Sequence, residues 1–385
     1  MKREDAVRGQ EEALALLRAA LHTRHVGHAY LFHGPAGVGK TRAALWFAQA
    51  LLCETPTNEG LACNACASCR SVAELRHPDL ELLFPLPTFR IEGRTERQAE
   101  EARSEGRAKA NQRYAREPWF TPTFARPAVH SVEDLARAKQ FLSLTAQRAE
   151  GRKVLIVKGA EGMTGPAAHA FLKILEEPQP GRVLILGARQ ARALLPTIAS
   201  RCLHVRFRPL PAEVIATALT EGYGISPPVA RIAAATAQGS LGRAIQPFAV
   251  PLDGTAKEAA DEAEFGRLRA AAIDLFVRPR SAAVVGPLRK ARLERDRPRF
   301  LTAVSLAVHY YRDAMRMKLA RDGAPVDLAH DDMKRELAAD ARALPLAALT
   351  GRIRVLEEIA AAAQSNVTVA YAVASAQHRM GLGTN

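Results

Sequence analysis

Apolar residues along this chain fall into two rhythms, a helical one and short unbroken runs. After Val7-Arg8-Gly9-Gln10, Leu14, Leu17 and Leu21 share one helical face, and His28-Ala29-Tyr30-Leu31-Phe32 then predicts a buried strand. Ala43 to Leu52 predicts a helix, and Leu80-Glu81-Leu82-Leu83-Phe84 a further strand stopped by Pro85 and Pro87. Ser131-Val132-Glu133-Asp134 has the form of a helix N-cap with an acidic first turn, with Leu135, Phe141 and Leu142 as the inward stripe behind it. Val154-Leu155-Ile156-Val157 and Val183-Leu184-Ile185-Leu186 are continuous, as central parallel strands covered on both faces require. The helix expected between them, Pro166 to Glu177, turns Ala170, Phe171, Ile174 and Leu175 inward. Strand and helix alternating in this order predict an α/β domain: a parallel sheet with helices on both sides.

Past Arg208-Pro209-Leu210-Pro211 the strand signals stop. A helical stretch runs to about Phe248, Pro251-Leu252-Asp253-Gly254 breaks it, and a long helical region follows, in which Leu301, Val304, Val308, Tyr311 and Met315 form one stripe. Residues 90–118 alternate Arg and Glu with almost no large apolar side chains, which predicts a solvated helix or flexible insertion that builds no core. At 385 residues the chain exceeds a single core. Three domains are expected: α/β over 1–208, a small helical lid over 209–252 and an all-α domain over 253–385.

Charge adds a question about partners. The net charge of +14 suits a polyanion, because Lys and Arg near phosphates release condensed counterions, and it equally suits an Arg-rich source composition. Met1-Lys2-Arg3-Glu4-Asp5 opens no secretory signal, and no run of about eighteen apolar residues is long enough to span a membrane. A cytoplasmic location and no membrane partner are therefore expected.

One motif carries specific chemistry. Gly34-Pro35-Ala36-Gly37-Val38-Gly39-Lys40-Thr41 fits G-x-x-x-x-G-K-[ST] between an apolar strand and a helix. There, backbone N–H groups wrap phosphate oxygens, Lys40 neutralises the β- and γ-phosphates, and Thr41 reaches Mg²⁺, so ATP or ADP is the expected ligand, with or without Mg²⁺. The alternative is a glycine-rich turn without a ligand. Hydrolysis also needs acidic residues at the end of the next core strand. That strand ends Val157-Lys158-Gly159-Ala160-Glu161, with Lys and Gly where carboxylates belong and Glu161 a turn further on. A Lys at the magnesium position repels the ion.

Four of the five cysteines lie close together as Cys53-x9-Cys63-x2-Cys66-x2-Cys69, with Cys202 far away. Tight C-x2-C steps wrap one tetrahedral Zn²⁺, and four thiolates leave no open position, so the expected site is structural. Unliganded buried thiols and a redox C-x-x-C pair are the alternatives.

Together, His28-Ala29-Tyr30-Leu31-Phe32-His33-Gly34-Pro35, the four-Cys insertion, Phe171-Leu172-Lys173-Ile174-Leu175-Glu176-Glu177-Pro178 and Leu195-Pro196-Thr197-Ile198-Ala199-Ser200-Arg201-Cys202 resemble the clamp-loader branch of the AAA+ ATPases in bacterial DNA polymerase III. The resemblance is good over residues 1 to about 250. Beyond that it rests on helicity and Ser365-Asn366-Val367. It implies an α/β P-loop AAA+ domain with a zinc module, a helical lid and a C-terminal helical collar. Motor subunits of the gamma/tau kind carry acidic residues at the positions of Lys158 and Gly159, whereas delta-prime subunits have degenerate catalytic residues, as here. Ala188 stands where the family places its sensor-1 hydroxyl, and Arg243 matches the sensor-2 arginine of the lid.

By the same resemblance, Arg201 projects into a neighbour's ATP site as an arginine finger in trans, where a fixed guanidinium stabilises charge on the transferring phosphoryl group. A surface Arg at a helix end is the plainer reading. The partners implied are the gamma/tau motor and delta subunits and, through the complex, the sliding clamp and primed DNA. Two other functions stay open: an active gamma/tau-type ATPase with Glu161 recruited as base, and a zinc-containing nucleic-acid-binding module using Arg278, Arg280, Arg289, Lys290 and Arg292.

Overall fold

In the computed structural model the apolar runs become strands of a single parallel sheet. The structure describes residues 7–87, 96–116, 128–148, 151–248, 262–279, 285–290, 292–294, 296–320, 325–363 and 368–382. The chain divides into two compact units, 1–210 and 211–385. The second holds both the stretch expected as a lid and that expected as a collar.

The first unit runs α1 (Glu11–His22), β1 (Ala29–His33), α2 (Lys40–Leu52), α3 (Ala67–Ala73), β2 (Leu80–Leu83), β3 (Leu86–Pro87), α4 (Glu96–Arg116), β4 (Ala128–Val129), α5 (Val132–Ser143), β5 (Lys153–Lys158), α6 (Gly165–Glu176), β6 (Arg182–Ala188), α7 (Pro196–Ala199) and β7 (Leu203–Arg206). Five strands pair in the order β2-β5-β6-β1-β7, all parallel, while β3 and β4 form a short antiparallel pair. Successive side chains point to opposite faces, so each strand feeds two cores. Tyr30, Phe32, Val154, Ile156 and Ile185 pack with Leu14, Leu17, Leu21 and Phe47 on one face. Leu31, Leu155, Val157, Leu184 and Leu186 pack with Leu135, Leu142, Phe171 and Leu175 on the other. The expected cap at Ser131 is a full capping box: its hydroxyl accepts from the Asp134 N–H and the Asp134 carboxylate accepts from the Ser131 N–H.

The charged insertion departs from expectation. Its described part is helix α4, which does contribute to the core, because Tyr114 is buried within the α1/α2 face and Arg107 is buried against Asp134. Residues 90–95 and 117–118 of that segment lie outside the described residues.

The second unit is helical throughout its described residues: α8 (Ala212–Tyr223), α9 (Pro227–Thr236), α10 (Leu241–Ile245), α11 (Glu262–Phe276), α12 (Val285–Lys290), α13 (Arg297–Leu319), α14 (Lys334–Ala343), α15 (Leu346–Ala362) and α16 (Val369–Arg379). Helix α13 was expected to show one apolar stripe; instead it is buried on nearly all sides over 303–314, because α9, α11, α14 and α15 surround it. Tyr311 donates to the Phe276 carbonyl at 2.8 Å and Tyr310 to Asp340 at 2.6 Å, so both phenols are satisfied. Met1 to Asp5, the Pro251–Gly254 break and Ser365-Asn366-Val367 lie outside the described residues.

Candidate functional site

Strand β1 ends at His33 and the chain turns straight into the glycine loop. Gly34 has φ 150°, and a Cβ there would stand 2.1 Å from the Phe207 carbonyl oxygen, so only glycine fits. Gly39, at φ 106°, caps α2, whose first N–H groups have no partner within the helix and face the loop. Lys40 is the first helical residue, and its ammonium donates to the Gly34 and Pro35 carbonyls at 2.6 Å each. Burial lowers its pKa to about 8, with the Glu161 carboxylate opposing and Arg189 assisting.

Gln10, which no sequence signal distinguished, fastens this loop. Its Nε2 donates to the Val38 and Arg208 carbonyls at 3.2 and 2.7 Å, and its Oε1 accepts from the Arg208 N–H at 3.0 Å. The loop carrying Val38 is thereby tied to the chain just beyond β7. Strand–loop–helix geometry of this kind fits phosphate.

Sheet register brings the end of β5 to the same edge. Lys158 of β5 pairs with Gly187 of β6, which pairs with Phe32 of β1. Burial, with the charge of Lys40 adding to it, lowers the Lys158 pKa to about 8. Its ammonium lies 4.7 Å from the centre of the Tyr114 ring. Tyr114 is buried with its phenol beside the Thr41 side chain, and burial pushes the phenol pKa up. The buried His130 donates from Nε2 to the Lys158 carbonyl at 3.0 Å. Tyr114 was invisible in the sequence, standing in a segment read as solvated and 73 positions from Thr41 by the numbering.

Gly159, at φ 66°, turns the chain into a 3-10 turn at Ala160–Gly162, which carries Glu161. Glu161 Oε1 lies 3.2 Å from Arg189 Nε, and its buried Oε2 has no hydrogen-bond partner among the described residues. Ala188 is buried at the end of β6 and offers no hydroxyl. Magnesium takes oxygen ligands, usually from one or two carboxylates. The residues here set Lys40, Lys158 and Arg189 against one carboxylate and place the Tyr114 phenol beside the Thr41 hydroxyl, so this donor set does not fit the ion.

Arg201 follows α7 in the turn that enters β7. Its Nη1 donates to the Thr197 carbonyl at 3.0 Å and its Nη2 lies 3.0 Å from Glu176 Oε1, with 39% of the side chain exposed. None of these contacts is with the glycine loop. Arg243 belongs to the second unit, in the first turn of α10, where its Nη1 donates to Gln238 Oε1 at 3.0 Å. Of the basic residues expected at a nucleic-acid surface, Arg278 turns instead to Asp340, Tyr310 and the Glu336 carbonyl, and Arg289 and Arg292 are exposed. Arg280 and the Lys290 side chain lie outside the described residues.

The four cysteines converge. All four sulfurs lie within 4.8 Å of one another, with Cys53–Cys66 at 4.0 Å and Cys63–Cys69 at 3.9 Å. A zinc tetrahedron with sulfurs about 2.3 Å from the metal has edges of about 3.8 Å. Backbone N–H groups of Cys63, Cys66 and Cys69 point at Cys53, Cys63 and Cys66 Sγ, each at 3.3 Å, which favours thiolates. The Thr55 hydroxyl and the Ala65 and Cys66 amides bring the Cys63 thiol down to about 6, whereas burial pushes Cys53 and Cys69 up. These residues fit a closed zinc site. The module is held to the domain by Gln49, donating to the Cys69 carbonyl at 3.0 Å, and by Ser68, donating to the Leu52 carbonyl at 2.5 Å.

Residues 9–211 match the family described as DNA polymerase III, delta subunit. The chain is 38% identical over 177 residues to DNA polymerase III subunit delta' of Pseudomonas aeruginosa, across 46% of this chain and 42% of the relative. Against subunit delta' of Bacillus subtilis it is 28% identical over 225 residues, 58% of this chain and 55% of the relative. Against subunit tau of Bacillus subtilis it is 30% identical over 213 residues, 55% of this chain and 30% of the relative. The chain thus spans about half the length, or less, of these relatives.

Proposed function

The chain belongs to the DNA polymerase III, delta subunit family, matched over residues 9–211, and from that premise we propose that it is a delta-prime-type clamp-loader subunit that donates Arg201 to a neighbour's nucleotide instead of hydrolysing its own. One observation carries this reading: β5 ends in Lys158 and Gly159, where a hydrolysing site holds its metal on carboxylates. Arg201 supports it, because its guanidinium is part-exposed and, among the described residues, tethered only by Glu176 and a carbonyl, so it is available to a phosphoryl group presented from outside.

In this reading the cradle Gly34–Thr41 binds ATP or ADP without turnover, and zinc on Cys53, Cys63, Cys66 and Cys69 is structural. Helices α8–α10 act as the lid, carrying Arg243 as sensor 2, and the helices from α11 onward as the collar that holds gamma/tau and delta subunits together in the cytoplasm. The assembly loads the sliding clamp onto primed DNA. Arg201→Ala should depress ATP turnover of a loader reconstituted from this chain with motor and delta subunits, while the chain alone shows no ATPase above background. Robust turnover by the lone chain, lost in Lys40→Ala and Glu161→Gln, would overturn the proposal in favour of an active motor.

A further inference from the structure

We infer that the phosphate cradle takes its nucleotide free of any divalent cation, with Lys158 supplying the positive charge and Tyr114 closing the position a metal would need. This rests on the reading of Gly34–Thr41 as a nucleotide site, and goes beyond it by naming the ligand as the metal-free nucleoside di- or triphosphate.

The decisive residue comes from outside the cradle. Tyr114 belongs to the inserted helix α4, yet it is buried, with its ring 4.7 Å from the Lys158 ammonium and its phenol beside the Thr41 hydroxyl. One side chain therefore stands beside both groups that flank the metal position, the hydroxyl at the start of α2 and the residue at the end of β5. A ring face also favours a cation, so Tyr114 stabilises Lys158 where it stands.

Charge runs the same way. Lys40, Lys158 and Arg189 converge on this edge of the sheet, and the pKa values of Lys40 and Lys158 are lowered by burial and by neighbouring cations. A polyphosphate placed among them relieves that repulsion, whereas a divalent cation adds to it. Glu161 does not reverse the balance, since it offers a single carboxylate with one oxygen already held by Arg189. Magnesium further lowers the charge of the ligand itself, so the free anion is the better match to two half-buried ammonium groups.

The test is fluorescence anisotropy of a fluorescent ATP analogue titrated with the full-length chain, once in EDTA and once in millimolar Mg²⁺. Affinity should be equal or greater in EDTA, and Lys158→Ala should weaken binding about tenfold in both buffers. The double variant Lys158→Asp, Tyr114→Ala, if folded by circular dichroism, should gain magnesium-dependent binding; a folded double variant that gains none overturns the role of these two residues. Wild-type binding strengthened more than about threefold by Mg²⁺ overturns the inference without any variant. Absence of binding in both buffers overturns it too. Neither result touches the Arg201 reading, which is decided by turnover in the assembled loader.

Discussion

Arg201 and Glu176 form an ion pair of 3.0 Å between the turn entering β7 and the last residue of α6. Both side chains are substantially exposed, so the pair contributes only about 0–1 kcal/mol and yields readily to a phosphate oxygen. Under the proposed function this pair would hold the guanidinium ready. Glu176→Gln should therefore lower turnover at the adjoining motor site only about two- to threefold, whereas Arg201→Ala should lower it by about three orders of magnitude. Arg201→Lys should rescue little, because an ammonium lacks the planar fork. Single-turnover ATP hydrolysis in the reconstituted loader separates these outcomes, and equal rates for wild type and Arg201→Ala would remove the finger.

The cysteine module should behave as a staple. Purified chain is expected to hold about one zinc, released by a strong chelator, and Cys66→Ser should lose it. Loss of zinc should expose 53–69 to protease, since only Gln49 and Ser68 tie this loop to neighbouring backbone in the bonds described above. The sheet should survive, because the module adds only Cys53, Ala62 and Cys69 to the buried residues of one core and none to the other. Zinc content by atomic absorption with limited proteolysis checks both halves; a metal-free chain with an unchanged digestion pattern would leave the thiols as packing residues.

Legibility followed how local each signal is. Strands β1, β5 and β6 were readable because burial on both faces forces largely apolar runs, and β2 despite its half-buried Glu81, but β7 was not, since in Leu203-His204-Val205-Arg206 only Val205 is buried. The cradle and the cysteines were readable because their chemistry requires fixed short spacings. Tyr114 and Gln10 were not, because each acts across a long stretch of chain through a contact that only the fold creates. The stripe on α13 misled for a related reason: periodicity reports a helix with one wet side, and this one has almost none.

His309 on α13 should make the second unit acid-sensitive. It is 8% exposed and neither ring nitrogen has a hydrogen-bond partner among the described residues. Burial, then the charge of Arg312, pull its pKa to about 4, with His330 and Arg316 assisting and Asp313 opposing. The folded state thus resists a proton that the unfolded chain accepts near its ordinary value of about 6.5. Stability from this group is full above about pH 6.5 and is lost as pH falls toward 4, a total of about 3 kcal/mol. Asp313, held below its usual range by His330 against its burial, adds a loss of the same sign at lower pH. Urea midpoints should fall between pH 7 and 4.5 in the wild type and fall less in His309→Leu; parallel slopes would exclude His309 as the source.

The charged insertion is anchored by a buried ion pair, and its energetics can be separated from its packing. Arg107 Nη2 lies 2.6 Å from Asp134 Oδ1, with side chains 7% and 4% exposed, and the other carboxylate oxygen accepts from the Ser131 N–H and hydroxyl at 3.0 and 3.2 Å. Arg107 Nε and Nη1 have no hydrogen-bond partner among the described residues, so the pair is held without a complete set of donors satisfied. Buried pairs of this kind add little over an apolar replacement, but losing one partner strands the other charge. Arg107→Leu alone should cost about 3 kcal/mol or more, by leaving Asp134 ionised beneath α4. Asp134→Asn keeps the cap acceptor yet strands Arg107, so it should cost a similar amount. The double variant should cost well under the sum, because neither charge remains to be desolvated. Urea unfolding of the four proteins gives the coupling directly, and additive single costs would show that α4 is held by Tyr114 and its packing instead of by this pair.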